Sequence, residues 1–305
     1  MVKFNKTDSR LVSIWMISYN HEAYIAKAIE SILSQVTTFN IEIVIGDDNS
    51  SDNTQIIIEK YRKRFPSIIK PLYHKKNVGM MPNMLETLRR CEGEYIALCE
   101  GDDYWIDTNK LQIQVDYLMN NPQISMCFTD RIEVDEEGVK IRDHIYNAVN
   151  YTIDDIVNGF IPPTQTIVFR RVNKINKLIE KHLDSPSGDR ILAYFCSKIG
   201  NIHRIPSVTA AYRLSGKGIW NSFDKQQQFF ISLERFIDFH IAIGMPVNNQ
   251  HIHQRINGSI IYLIGKYPMS MILNLRRIIS LKRKYGIKSN FNSYLLNKII
   301  WRVQI

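Results

Sequence analysis

No stretch of this 305-residue chain reaches the run of about 18 apolar residues that a membrane-spanning helix needs. The nearest approach, Ser259 to Leu275, is broken by Lys266 and Pro268. The first ten residues are polar and lead directly into an apolar strand pattern, unlike a secretory leader, so a cytoplasmic setting is expected. Cysteine is sparse. Cys91, Cys99, Cys127 and Cys196 form no C-x-x-C pair and sit in apolar stretches, which points to reduced, buried thiols rather than to a metal or redox centre. The histidines are scattered, and His251 and His253 stand two apart, which on a helix sends them to different faces.

Acidic residues are missing from the end of the chain. The last is Asp238, and ten Lys or Arg follow it. The first 238 residues hold 29 basic and 30 acidic side chains, so the net charge of +9 resides in the tail. A nucleic-acid groove would distribute basic residues among the loops of the body, so no nucleic-acid partner is expected.

What is present is a regular alternation. Leu11–Ile17, Ile41–Gly46, Ile69–His74, Tyr95–Glu100 and Ile124–Thr129 are short apolar runs that read as strands. Between them, Glu22–Gln35, 53–65, 82–91 and 109–120 carry helical spacing, with Pro66 closing the second and Pro82 in the first turn of the third. This order predicts an α/β domain with a mostly parallel sheet covered by helices on both faces. The pattern loosens over 130–163. It resumes with a strand at Gln165–Arg170, a helix at 173–182, a loop at 184–189, a helix at 190–198 and strands at 202–205 and 208–214. Beyond Trp220 the chain reads as helical to its end. In such sheets ligands bind beyond the carboxyl ends of the strands. The polar loops Ser18–Glu22, Asp47–Asp52 and Gly101–Asp103 all fall there.

Glu100-Gly101-Asp102-Asp103 places up to three carboxylates at one strand tip. Clustered like charges repel unless a cation compensates them, and hard oxygen ligands suit Mg²⁺ or Mn²⁺. A solvated acidic turn is the plain alternative. Asp47-Asp48-Asn49-Ser50-Ser51-Asp52 is ordinary turn and capping chemistry for part of its length. Two adjacent carboxylates at the end of an apolar strand exceed what capping needs, and one could accept the ring N–H of a uracil or thymine. Asp189 follows a glycine at a helix start, where the dipole favours an ionised carboxylate and hence a base, although a simple cap has the same look.

Four blocks together resemble glycosyltransferase family 2: Val12–Asn20, Ile29–Gln35, Glu42–Thr54, and Glu92–Leu98 with Glu100–Asp103. They follow the family's order and spacing over about residues 10–130. A weaker likeness, through Asp189 and Tyr212–Trp220, extends to about residue 220. The resemblance implies the GT-A fold and an inverting sugar transfer. Ser18, Tyr19, Asn20 and Glu22 match the loop that lines the nucleotide, and Asp48 the aspartate that reads uracil or thymine. Asp102 and Asp103 match the motif that holds ribose, metal and diphosphate. Asp189 matches the general base. Two places depart from the pattern. Many relatives carry a metal-reaching His where Ser215 stands here, leaving Arg213 and Lys217 as alternative partners for the diphosphate. The basic residue often found near the ribose is absent, and Asn83 stands nearby.

The expectation is therefore a GT-A catalytic domain over 1–220 and a basic helical extension over 221–305. The resemblance implies a UDP-sugar donor, with dTDP-sugars second, a divalent metal (Mn²⁺ or Mg²⁺), and a lipid-linked saccharide acceptor of bacterial surface polysaccharide. Two rivals stay open. A nucleotidyltransferase would want a Gly-rich basic loop after the first strand, and Ser18-Tyr19-Asn20-His21 has neither feature; a dinucleotide dehydrogenase would want G-x-G-x-x-G there. A non-catalytic nucleotide-sugar-binding module is the other. In the tail, Met271, Ile272, Leu275, Ile278 and Ile279 share one helical face beside Arg276, Arg277, Arg283 and Lys284, and Phe291–Arg302 offers a similar pattern. This arrangement suits an anionic membrane surface, placing the enzyme peripherally on the inner face of the cell membrane. Packing of the apolar face on protein is the alternative.

Overall fold

The computed structural model describes residues 10–172, 175–180, 187–214, 224–246, 249–266 and 271–287. The chain forms two compact units, residues 1–224 and 225–305.

In the first unit, strands β1 (Leu11–Ser18), β2 (Asn40–Asp47), β3 (Ile69–Tyr73) and β4 (Tyr95–Leu98) lie side by side and parallel, in the order β3-β2-β1-β4. Parallel neighbours require crossovers, and helices α1 (Ile25–Leu33), α2 (Thr54–Arg64) and α3 (Met80–Arg89) supply them. Val12, Ile14 and Met16 of β1 pack with Ile25, Ala28, Ile29 and Ile32 of α1, all fully buried, so the alternation of the strand and the helical stripe meet in one core. The other face of β2 is met at very close range. A Cβ on Gly46 would lie 1.9 Å from Thr87 Oγ1 and 2.3 Å from Asn83 Oδ1, so α3 can rest on the strand only because residue 46 has no side chain.

Beyond β4 the sheet is mixed. A two-residue strand β5 (Tyr104–Trp105) precedes α4 (Lys110–Asn120) and β6 (Ile124–Val134). Strand β6 runs on to Val134, where the sequence pattern had loosened, and turns back as β7 (Lys140–His144). Its polar residues are paired rather than solvated. Asp130 takes a bidentate hydrogen bond from Arg204, and Glu133 lies 2.6 Å from Arg142. After β8 (Asn150–Tyr151), α5 (Ile153–Val157) and a 3₁₀ turn at Thr164–Thr166, β9 (Val168–Arg170) inserts antiparallel between β4 and β6. Helices α6 (Ile175–Glu180) and α7 (Gly188–Ser197) follow, and then β10 (Asn201–Arg213). The segments read as separate strands at 202–205 and 208–214 are one strand. It pairs with β6 on both sides of Pro206 and Ser207, with a shift of register across them. The whole is an α/β, GT-A-like architecture.

In the second unit, α8 (Lys225–Ala242), α9 (Gln250–Lys266) and α10 (Met271–Lys284) share a core of Phe230, Leu233, Phe236, Ile237, Ile252, Ile256, Ile260 and Ile278. Ile278, expected on an interfacial face, is therefore inside this bundle, while Ile279 is exposed. The side chains of Met271, Ile272 and Leu275, and all of Phe291–Arg302, lie outside the described residues. Among the described residues no helix is long and apolar enough to cross a membrane.

Candidate active site

Because β1, β2 and β4 are parallel neighbours, their carboxyl ends open on one edge of the sheet, with Ser18 opposite Asp47 and Trp15 opposite Leu98. Backbone bonds carry the alignment into the loops. Asp48 N donates to Ser18 O at 3.0 Å and Gly101 N to Ile17 O at 3.0 Å. The three polar loops singled out from sequence are thus one surface.

The first two loops are stitched together by their own polar residues. Asn20, in a left-handed conformation at φ 55°, accepts from Ser51 N at 2.8 Å, and its own N–H donates to Ser50 Oγ at 2.9 Å. Glu22 Oε2 accepts from Asn53 N and Nδ2 at 3.0 and 2.8 Å. Asn20 and Glu22 therefore build the frame, while the Tyr19 ring is exposed at its rim. Asp47 is spent locally, accepting from Ser50 and Gln55. Asp48 is buried, and its two oxygens accept from Val78 N at 2.7 Å and Gly79 N at 2.9 Å, drawing the 77–79 loop over the end of β2. Asn83 is buried too. Its amide donates to Gly46 O at 2.9 Å and its oxygen meets His74 Nε2 at 3.1 Å and Thr87 Oγ1 at 3.2 Å, so it supports the loop from below.

The third loop holds the charge. One carboxylate oxygen each from Glu100, Asp102 and Asp103 lies within 4.8 Å of the others. Asp103 is only 1% exposed, and its Oδ2 has no hydrogen-bond partner. Burial, then the charges of Asp102 and Asp189, pushes Glu100 up to about 8. Burial, with Asp102 and Glu100, also pushes Asp103 well above the usual carboxylate range, outweighing the hydrogen bond from Arg213. Oxygen donors that repel one another and keep a buried orphan lone pair fit a divalent cation. The residues suit such an ion.

Arg213, at the end of β10, lies against the acidic loop. Its N–H donates to Asp103 Oδ1 at 2.9 Å and its Nε to Asp102 O at 3.0 Å, while Nη1 donates to Asp135 O at 3.1 Å and to Glu136 O. The guanidinium also stacks over Tyr24, 4.5 Å from the ring centroid. It is a strut that joins the acidic loop to the β6–β7 turn, a role that spacing alone does not reveal.

Asp189 is the second residue of α7. Its Oδ1 accepts from Arg190 N at 2.7 Å, a local bond in the first turn, while Ser187 holds the N-cap position without a side-chain hydrogen bond. It is also close enough to the acidic loop for its charge to raise Glu100. Gly188 before it rests against Met81 and Met84 of α3, which ties the start of α7 to the nucleotide side. Ser215, Lys217 and Trp220 lie outside the described residues.

The model of the family described as glycosyl transferase family 2 matches residues 13–176. An uncharacterised protein of Mycobacterium tuberculosis is 34% identical over 219 residues, 69% of this chain and 61% of that protein, so the likeness spans less than two thirds of the relative's length. The Escherichia coli UDP-Glc:α-D-GlcNAc-diphosphoundecaprenol β-1,3-glucosyltransferase WfgD is 38% identical over 114 residues, 37% of this chain and 43% of its own. Among solved structures, S. aureus TarS in complex with UDP-GlcNAc superposes with a TM-score of 0.62 at 17% identity, over 90% of this chain and 80% of that one. That last likeness is one of fold.

Proposed function

The chain belongs to glycosyl transferase family 2, and from that premise we propose that it moves a sugar, with inversion, from a nucleoside-diphosphate sugar to a saccharide hydroxyl. The observation that carries this reading is the meeting of Asp48, the Glu100–Asp103 carboxylates and Asp189 at one edge of the sheet.

In this reading the nucleotide lies across the stitched loops. Tyr19 flanks the base, and Asp48, with one lone pair on each oxygen still free, accepts the ring N–H of uracil. Ser18, Asn20, Glu22 and Asn83 shape the cradle, and Arg213 fixes the acidic loop against it. Asp102 and Asp103 would hold a divalent cation, Mn²⁺ or Mg²⁺, which when bound supplies positive charge to the departing diphosphate. Asp189 takes the proton from the acceptor hydroxyl as it attacks the anomeric carbon. It sits in the first turn of α7, where the helix dipole favours negative charge.

UDP-sugars are the proposed donors and a lipid-linked saccharide the proposed acceptor; the name of the E. coli relative, which pairs UDP-glucose with a diphosphoundecaprenol-linked sugar, supports both. Catalysis is assigned to residues 1–220. To the helical part, 221–305, we assign attachment to an anionic membrane surface through exposed Arg276, Arg277 and Arg283, by charge rather than by insertion, since Ile278 is buried. Salt-sensitive co-sedimentation with anionic vesicles is its signature.

A thermal-shift screen of nucleoside diphosphates and their sugars, with and without Mn²⁺, tests the donor class, because a ligand of the native state raises the melting temperature. Multiple turnover of the best donor by purified protein then separates an enzyme from a binding module of the same fold.

A further inference from the structure

Arg131 and Glu133 stand two apart on β6 and so share one face of the sheet. In register with them, His144 lies opposite Arg131 and Arg142 opposite Glu133 on β7, with Tyr212 opposite Glu133 on β10. Three adjacent strands thus gather two arginines, a histidine and a tyrosine around one carboxylate. Strand order puts this face beyond β4 and β9, across the acidic loop from the nucleotide-lining loops of β1 and β2. Tyr212 links it to that loop. Arg131 stacks on the Tyr212 ring, 4.3 Å from its centroid, while burial and then the charges of Asp103 and Glu100 raise the phenol.

Glu133 does not need all of these partners. Its Oε2 lies 2.6 Å from both Nε and Nη2 of Arg142, and its Oε1 meets His144 Nδ1 at 3.2 Å. Arg131 stands at the edge of this group, with Nη2 3.4 Å from the same Oε1. Its Nε is buried and has no hydrogen-bond partner. A guanidinium placed only to neutralise Glu133 would turn that N–H towards it, because a buried donor left unmade is costly. One positive charge is therefore in excess beside the acidic loop. The Arg131 side chain is 15% exposed and that of Arg142 65%, so the face opens to solvent past β7.

We propose that Arg131 binds an anionic group of the acceptor, a phosphate or a carboxylate, and thereby selects acidic acceptors. The inference rests on the sugar transfer proposed above. A guanidinium fork matches the paired oxygens of either anion, and its attraction is strongest where water is partly excluded. The side of the sheet decides for the acceptor. The nucleotide lies over β1 and β2 with its diphosphate at the acidic loop, and in an inverting displacement the attacking hydroxyl comes from the side opposite the leaving group. The face carrying Arg131 begins at that loop and leads away from the nucleotide. Two sources supply this chemistry: the diphosphate of a lipid-linked saccharide, and a uronic acid within the saccharide.

Calorimetric titrations into the full chain, saturated with UDP and Mn²⁺, test this with three probes built on one sugar: octyl glucoside, octyl glucuronide and the octyl ester of glucosyl diphosphate. At least one charged probe should bind about 10–100-fold more tightly than the neutral glucoside, and the preference should shrink as salt rises. Which charged probe it is identifies the source. Arg131→Gln should abolish the preference while UDP affinity stays that of the wild type. Should that variant fail to fold, Arg131→Lys, which keeps the charge but loses the fork, should weaken the preferred probe alone. Equal affinity for charged and neutral probes in the wild type, or a preference that survives in Arg131→Gln, overturns the proposal and leaves the donor site standing. A charge preference confined to donors, UDP-glucuronic acid over UDP-glucose, overturns it as well. No UDP binding by the wild type overturns the sugar-transfer reading beneath it.

Discussion

The main-chain N–H of Arg213 donates to the Oδ1 of Asp103 at 2.9 Å across 110 residues of sequence. The guanidinium of the same residue reaches the carbonyls of Asp102, Asp135 and Glu136. One side chain thereby fixes the acidic loop at the end of β4 against the turn between β6 and β7, and the position of the carboxylates depends on a strand that arrives late in the chain.

Replacing Arg213 with Met should consequently do more than remove a charge. It removes the donor to the carbonyls of Asp102, Asp135 and Glu136, a change worth about 1–3 kcal/mol. The variant should melt lower and bind Mn²⁺ at least tenfold more weakly. Arg213→Lys should rescue little of either, because an ammonium cannot match the planar fork that reaches three carbonyls. Calorimetric melting and Mn²⁺ titration of both variants check this; wild-type Mn²⁺ affinity in Arg213→Met would remove the strut from the account.

The parallel half of the fold and its polar edge were legible because apolar runs and helical stripes alternate cleanly through β1–β4. The stretch from Asp130 was not. Hydropathy cannot distinguish a charged loop from a strand whose Asp130 and Glu133 are neutralised by Arg204 and Arg142. Pro206 likewise looks like a strand end, yet it sits in an irregularity of one long strand. At the site, Asp48 and the acidic loop were visible as residue types in place. The stitching by Asn20 and Glu22, and the strut of Arg213, were not, since each is a hydrogen bond between segments about 30 or 110 residues apart.

Metal binding should strengthen with pH. Glu100 holds its proton up to about 8 in the folded state, against an ordinary value of 4.5. Its contribution to stability is therefore full below 4.5 and is lost as pH rises through about 8. A cation must displace that proton, so the melting increment produced by Mn²⁺ should be larger at pH 8 than at pH 6, with proton release on binding. Glu100→Gln should flatten the dependence of the metal-free protein. An increment that does not change between pH 6 and 8 contradicts the assignment.

Asp189→Asn keeps an oxygen that can accept from Arg190 N but removes the base. Transfer should fall by about 10²–10⁴-fold while UDP affinity stays near that of the wild type. Steady-state rates with any accepted substrate, set against UDP titration, decide it. Transfer within a few-fold of wild type would reduce Asp189 to its local bond in the first turn of α7.

Lys110 is fully buried, hydrogen-bonded to Gln114 Oε1 at 2.6 Å and stacked 4.3 Å from the Trp105 ring centroid. Burial lowers its pKa to about 7. The unfolded chain binds this proton up to about 10.5, so the lysine costs stability below that value, most of all at and below 7, and the cost fades as pH rises. Lys110→Met should therefore melt higher than wild type near pH 7, with the gap narrowing towards pH 10. A gap that widens with pH would reverse the sign and refute it.

The central claim is that the acidic loop holds a divalent ion that helps bind the diphosphate of a nucleotide sugar. Calorimetric titration of UDP into the purified protein, with Mn²⁺ and then with excess EDTA, tests it most directly. Binding should appear in Mn²⁺ and be lost in EDTA and in both Asp102→Asn and Asp103→Asn, with the variants still melting cooperatively. Equal UDP affinity with and without metal, in the wild type and in both variants, would contradict it.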